Sequence, residues 1–203
     1  MAAVPSELGA VPEVVAGLHY TVDTGVKPVN ETFGPNNIRR RVSGGVDRVP
    51  GTPRQPVTSV HNDYTVKSGP QRVRDLMGEK AEELLRHRFE IVNVWRPIRG
   101  PLRDAPLAVC DATSVAFTDF VPSDLVYRDR TGETYRVRYN PAHRWFYVPE
   151  MRADEAILIK CYDSAQDGRA RFTAHSAFED PTAPADVLPR ESIELRTLIF
   201  HAA

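Results

Sequence analysis

The chain has 203 residues, with 26 lysines and arginines against 27 aspartates and glutamates, 41% hydrophobic residues and a net charge of −1. That balance fits one globular domain of ordinary type and gives no general electrostatic case for nucleic acid or an anionic membrane. No apolar run approaches the ~18 residues of a membrane span, and Met1 to Glu13 lacks the basic start and apolar core of a signal peptide.

Residues 1–37, punctuated by Pro5, Pro12, Pro28 and Pro35, read as an irregular N-terminal segment, with one short strand expected at Leu18 to Val22. The main domain is expected from 38 to 203. It opens on Ile38-Arg39-Arg40-Arg41-Val42, whose arginines read as an exposed strand edge or loop. Ser43 to Arg54, rich in glycine and proline, reads as a loop, and Pro56 to Tyr64 as the first strong strand. Ser68-Gly69-Pro70 breaks the chain. One helix is expected over 71–88, because Val73, Leu76, Met77, Ala81, Leu84 and Leu85 fall at helical spacing.

Beyond the helix the apolar period changes to two. Strands are expected at Phe89 to Trp95, Leu107 to Cys110, Val115 to Phe120, Arg144 to Val148, Ala156 to Tyr162 and Ser192 to Phe200. Leu125 to Arg128 and Glu133 to Tyr139 read as a hairpin about Asp129-Arg130-Thr131-Gly132. One helix, many short strands and 17 prolines exclude a helical bundle and indicate a mainly β sandwich or barrel. Cys110 and Cys161 stand far apart, outside metal-type spacing, and read as buried free thiols of a reducing, cytoplasmic protein.

The chemistry concentrates at His61 and Asp63. Two residues apart on an extended chain, an imidazole and a carboxylate project to the same side. Sites that activate dioxygen take two imidazoles and one carboxylate on one face of the metal and leave the other face open. The second imidazole must come from elsewhere. His19 lies in the irregular N-terminus, His87 ends the helix, and His201 ends the chain. His143 precedes an aromatic strand and reads as a turn residue, which leaves His175, after the extended Arg171-Phe172-Thr173, as the best third ligand.

Arg190 and Ser192, also two apart, offer a guanidinium fork and a hydroxyl to the distal carboxylate of a 2-oxodiacid. The bland alternative for Arg190 is a surface salt bridge with Glu179 or Asp180, and Arg196 competes for the same role. Asn93, Trp95 and Arg96, at the end of a buried strand, and Tyr64, beside the metal pair, are candidate pocket residues. There is no Gly-x-Ser-x-Gly turn, phosphate-cradling loop or dinucleotide fingerprint.

The blocks His61-Asn62-Asp63-Tyr64-Thr65, Arg88-Phe89-Glu90-Ile91-Val92-Asn93-Val94-Trp95-Arg96-Pro97-Ile98 and Pro106-Leu107-Ala108-Val109-Cys110-Asp111 resemble the asaB-type hydroxylase/desaturase family. So do Lys160-Cys161-Tyr162-Asp163-Ser164, Thr173-Ala174-His175-Ser176-Ala177-Phe178 and Pro189-Arg190-Glu191-Ser192-Ile193-Glu194-Leu195-Arg196. The resemblance, from about Ile38 to Phe200, implies a double-stranded β-helix, or jelly roll, that uses Fe(II), 2-oxoglutarate and dioxygen. It implies hydroxylation or desaturation of a small secondary-metabolite-like substrate. Some members of such families act as non-catalytic accessory subunits of a partner enzyme, which is the alternative expectation. Relatives carry a further segment before the position of Ile38 that this sequence lacks.

Overall fold

The computed structural model describes residues Ala16, Leu18 and Tyr20, the backbone of Val29–Glu31, and residues 55–127 and 130–202. The short strand expected at Leu18 to Val22, the arginine run at 39–41, the loop at 43–54 and the boundary between 37 and 38 lie outside them.

Among the described residues, ten strands and two α-helices follow in order. They are β1 (Val29–Glu31), β2 (His61–Asn62), α1 (Ser68–Met77), α2 (Ala81–Leu84), β3 (Phe89–Pro97), β4 (Leu107–Cys110), β5 (Phe120–Val126), β6 (Thr131–Val137), β7 (Trp145–Tyr147), β8 (Ile157–Asp163), β9 (His175–Ala177) and β10 (Ser192–Phe200). Seven strands form one sheet in the order β1-β5-β6-β2-β9-β4-β7, and three form the other in the order β10-β3-β8. The architecture is the expected mainly β jelly roll with one main helical region.

β3 is central in its sheet, antiparallel to β10 over its full length and to β8 on the other side. That position explains its near-continuous apolar sequence. Phe89, Ile91, Trp95, Ile159 and Cys161 are buried beneath it and beneath β8, with Tyr135 of the larger sheet and Phe172 of the segment before β9 packed against them. The Phe89 and Tyr162 rings stack at 5.1 Å, and the Tyr135 and Phe172 rings meet edge to face at 5.2 Å. Both cysteines are free and buried, as expected.

Three expectations are corrected. The helix starts at Ser68, three residues early, and pauses at Gly78. Pro70 does not break it, because proline in the first turn gives up only an N–H that has no intrahelical acceptor. The Thr65 hydroxyl oxygen caps the entry, accepting from the Lys67 and Ser68 amides. Gly78 (φ 54°) adopts a backbone that L residues rarely take, so the helical phase is interrupted there. Second, the strand expected over Pro56 to Tyr64 is paired as a strand only at His61–Asn62, with an isolated bridge at Ser59. Third, Val115 to Phe120 is not extended throughout: Phe117–Asp119 forms a short 3-10 turn that leads into β5.

Gly69 lies against the Tyr162 ring. A Cβ there would stand 2.6–2.9 Å from three ring carbons. Phe89 and Phe172 flank that ring, so it has no room to retreat. Gly69→Ala is therefore expected to destabilise the fold by about 1–3 kcal/mol, the usual cost of overpacking, read as a lower urea midpoint with an unchanged slope.

At the far end of β3, the fully buried Asp163 carboxylate accepts from Arg88 Nη2 (2.8 Å) and Lys160 Nζ (3.1 Å), and Glu90 pairs with both cations and with His201. Burial pushes the Asp163 carboxyl up, but the Arg88 bond, the Ala165 amide and Lys160 outweigh it and hold it well below the ordinary range. Such a group stabilises the fold fully above its unfolded value near 4 and loses that contribution as the pH falls further. Asp163→Asn is expected to flatten the decline in stability on acidification below pH ~4, measured by urea unfolding at a series of pH values.

Candidate metal centre

The two short strands β2 and β9 lie side by side, and His61 stands directly opposite His175. Their rings approach to 4.4 Å between centroids. One ligand-type atom each from His61, Asp63 and His175 lie within 4.8 Å of one another. Residues 114 positions apart in sequence thus meet as expected (175 − 61).

Both imidazoles are oriented in the same way. His61 Nδ1 bonds the Ser59 carbonyl oxygen at 2.7 Å, and His175 Nδ1 bonds the Thr173 carbonyl oxygen at 2.9 Å. A carbonyl only accepts, so each Nδ1 carries a proton, and the neutral form of each ring presents its lone pair on Nε2. That is how protein structures commonly prepare histidine ligands. The donor set of two neutral imidazoles and one carboxylate fits an iron ion, and these three residues could hold one.

Asn62, between the two ligands, is fully buried. Its amide donates to the carbonyl oxygens of Tyr64 (2.7 Å) and Cys161 (2.9 Å), and its Oδ1 accepts from the Thr173 amide at 3.3 Å. One side chain thereby ties β2 to β8 and to the residue whose carbonyl orients His175. Asn62 has no role in the sequence reading, since Cys161 and Thr173 lie about a hundred positions away and no local period announces them.

Asp63 sits in the bend after β2. Its Oδ1 lies 3.8 Å from His61 Nε2, and its Oδ2 accepts from Asn93 Nδ2 at 2.7 Å and meets Arg196 Nη2 at 3.2 Å. Burial pushes the carboxyl up, but Arg196, His175, His61 and the Asn93 bond outweigh it and hold it down to about 2. The group is ionised throughout the neutral range.

The remaining expected residues are placed as follows. Asn93 and Trp95 are buried on the inner face of β3, whereas Arg96 is exposed on the other face and is not brought to the site. Tyr64 is buried beside the centre, and burial pushes its phenol up. Arg196 stands on β10 opposite Asn93, and its Nε donates to Glu194 at 2.8 Å.

Arg190 precedes β10 and makes no salt bridge with Glu179 or Asp180. Its backbone amide donates to Asp104 Oδ2 (2.7 Å), its Nη1 donates to the Ala105 carbonyl (2.6 Å), and its guanidinium carbon lies 5.5 Å from the centre of the Trp95 ring. Ser192 opens β10, half-buried and in phase with Glu194 and Arg196. His143 is a buried hydrogen-bonded residue, between Asp119 and the Tyr20 hydroxyl.

A jelly roll with two histidines and one carboxylate converging on facing strands is the arrangement of the Fe(II)/2-oxoglutarate-dependent oxygenases. Residues 25–200 match the family model described as YDMC, Oxidoreductase/YMDC permease-like domain, and the chain belongs to that family; its own curated relatives include asaB-type hydroxylase/desaturases. It is 44% identical over 135 residues to the hydroxylase/desaturase asaB of Aspergillus flavus, an alignment that covers 60% of this chain and 59% of that one. It is 36% identical over 148 residues to the Fe(II)/2-oxoglutarate-dependent dioxygenase nvfI of Aspergillus novofumigatus, covering 72% and 53%.

The solved structure of the iron and alpha-ketoglutarate-dependent endoperoxidase NvfI superposes with a TM-score of 0.71 at 34% identity, over 77% of this chain and 58% of that one. The chain spans just over half the length of these relatives. Among the described residues no helix is long and apolar enough to cross a membrane.

Proposed function

We propose that this protein is an Fe(II)/2-oxoglutarate-dependent hydroxylase or desaturase of a small secondary-metabolite-like substrate. The observation that carries this reading is the convergence of His61, Asp63 and His175 with both histidine Nδ1 atoms already committed to backbone carbonyls. His61 and His175 hold the metal through Nε2, and Asp63 supplies the charge. Bound there with 2-oxoglutarate and dioxygen, iron supplies the oxidising chemistry.

The chain's own contribution is to bind, orient and exclude water. Arg190 anchors the distal carboxylate of 2-oxoglutarate, helped by the Ser192 hydroxyl. Its guanidinium is partly buried against Trp95 and has no carboxylate in an ion pair among the described residues, which leaves its charge for an incoming anion. Arg196 is a poorer anchor, because it already meets Asp63 and Glu194 and touches a proposed metal ligand, whereas the distal carboxylate must lie remote from the metal. Tyr64, Asn93 and Trp95 wall the site. The oxygenase unit is assigned to 38–203 and the irregular segment to 1–37. Two free buried thiols support a cytoplasmic location.

The test is succinate release by the purified protein with Fe(II), 2-oxoglutarate and a panel of candidate metabolites. Iron-dependent succinate, abolished by a chelator, is the expected result. No succinate under any condition, together with tight association with a methyltransferase or oxygenase, would favour the accessory-subunit reading instead.

A further inference from the structure

Asn93 lies at the centre of β3, fully buried, 30 positions from Asp63 in sequence. Which way its amide faces is settled by chemistry: an ionised carboxylate only accepts, so Nδ2 must face Asp63. That leaves Asn93 Oδ1 buried with no hydrogen-bond partner. A buried acceptor left unmatched costs stability. An apolar side chain would serve the core better at this position, so the amide is there for the site.

Asp63 Oδ2 is engaged by Asn93 Nδ2 at 2.7 Å, with Arg196 Nη2 at 3.2 Å and Cys161 Sγ at 3.9 Å, while Oδ1 is the oxygen nearer His61 Nε2. We infer that Asn93 is a positioning residue that occupies Oδ2 and so confines Asp63 to a single ligating oxygen, Oδ1. The inference rests on the metal reading above. Its consequence is a count of ligand atoms: on a six-coordinate ion, two imidazole nitrogens and one oxygen would fill three positions and leave three, enough for a chelating 2-oxoacid and dioxygen, whereas a carboxylate that swung to bind through both oxygens would take one of them. Arg196 alone cannot prevent this, because it is half exposed, is shared with Glu194 and is carried on a long flexible stem. Asn93 is short, buried and fixed in a central strand.

The test uses the whole chain loaded with Co(II), whose visible d–d absorption intensity reports coordination number, and then titrated with 2-oxoglutarate. Asn93→Leu removes both polar atoms at similar volume, and Asn93→Ala does so without risk of overpacking. For both variants we expect Co(II) affinity to fall by about tenfold or less, the lower end of the usual effect of losing a group that supports a ligand. The affinity of the Co(II) protein for 2-oxoglutarate should fall further than that, and the d–d spectrum before keto acid is added should change. If both variants matched the unaltered chain in spectrum and keto-acid affinity, Asn93 would have no such role. Loss of Co(II) and 2-oxoglutarate in strict proportion would also overturn it, as the mark of a merely structural residue. If the unaltered chain bound no Co(II), the metal reading itself would fall.

Discussion

His175→Ala and Asp63→Ala are each expected to abolish iron-dependent consumption of 2-oxoglutarate, with no residual turnover above the metal-free background. The reason is the size of the ligand set. In the proposed site three side chains hold the ion, and removing one would leave two, below what fixes a mid-row metal in an open site. The variants differ in stability. Asp63→Ala strips the Asn93 amide and the Arg196 guanidinium of their shared acceptor, a cost of about 1–3 kcal/mol. Because the Asp63 carboxyl is held at about 2, that stabilisation is fully present above its ordinary value of 3.8 and fades as the pH falls toward 2. His175→Ala breaks one side-chain bond among the described residues, to the Thr173 carbonyl. Circular dichroism and urea unfolding should find both variants folded, with Asp63→Ala the less acid-sensitive relative to the parent. Full activity in either would remove that residue from the ligand set.

The second large effect is expected at Arg190. Arg190→Ala should weaken 2-oxoglutarate by about 2–5 kcal/mol, the cost of a lost bidentate charge-assisted contact, or roughly one and a half to three and a half decades in affinity. Iron affinity should change little, because Arg190 touches none of the three ligands. Arg190→Lys should recover part of the loss, since a point charge cannot reproduce the planar fork. Arg196→Ala is the informative comparison. Arg196 bonds the carboxylate of Asp63, so its loss should perturb the metal first. If calorimetric titration of the metal-loaded protein showed Arg196→Ala losing keto acid while Arg190→Ala bound it normally, the anchor would be Arg196.

Much of this was legible in the sequence for physical reasons that can be named. Phe89–Pro97 and Ser192–Phe200 are long strands whose side-chain alternation or continuous burial leaves a strong periodic signal. His-x-Asp is a local pair, and elimination among six histidines left His143 and His175, with His175 the better partner because it follows an extended run. What stayed hidden depends on contacts distant in the chain. Asn62 looks like an ordinary polar residue, and Asn93 like a pocket residue with no named partner, until the sheets bring Cys161, Thr173 and Asp63 to them. Arg196 shares the period of Arg190, so the pattern could not say which cation meets the metal ligand and which stands clear. The helix start was obscured because Pro70 reads as a breaker unless the capping Thr65 is recognised.

If His61, Asp63 and His175 hold an iron ion, 2-oxoglutarate should chelate to it. The most direct measurement is an anaerobic titration of the protein with Fe(II) and then 2-oxoglutarate, followed by the visible charge-transfer absorption of the iron–keto-acid chelate. The expected result is a band that needs both components, saturates at one iron per chain and is absent in His175→Ala. Its absence from the unaltered chain, or its persistence at full intensity in His175→Ala, would rule out this metal site.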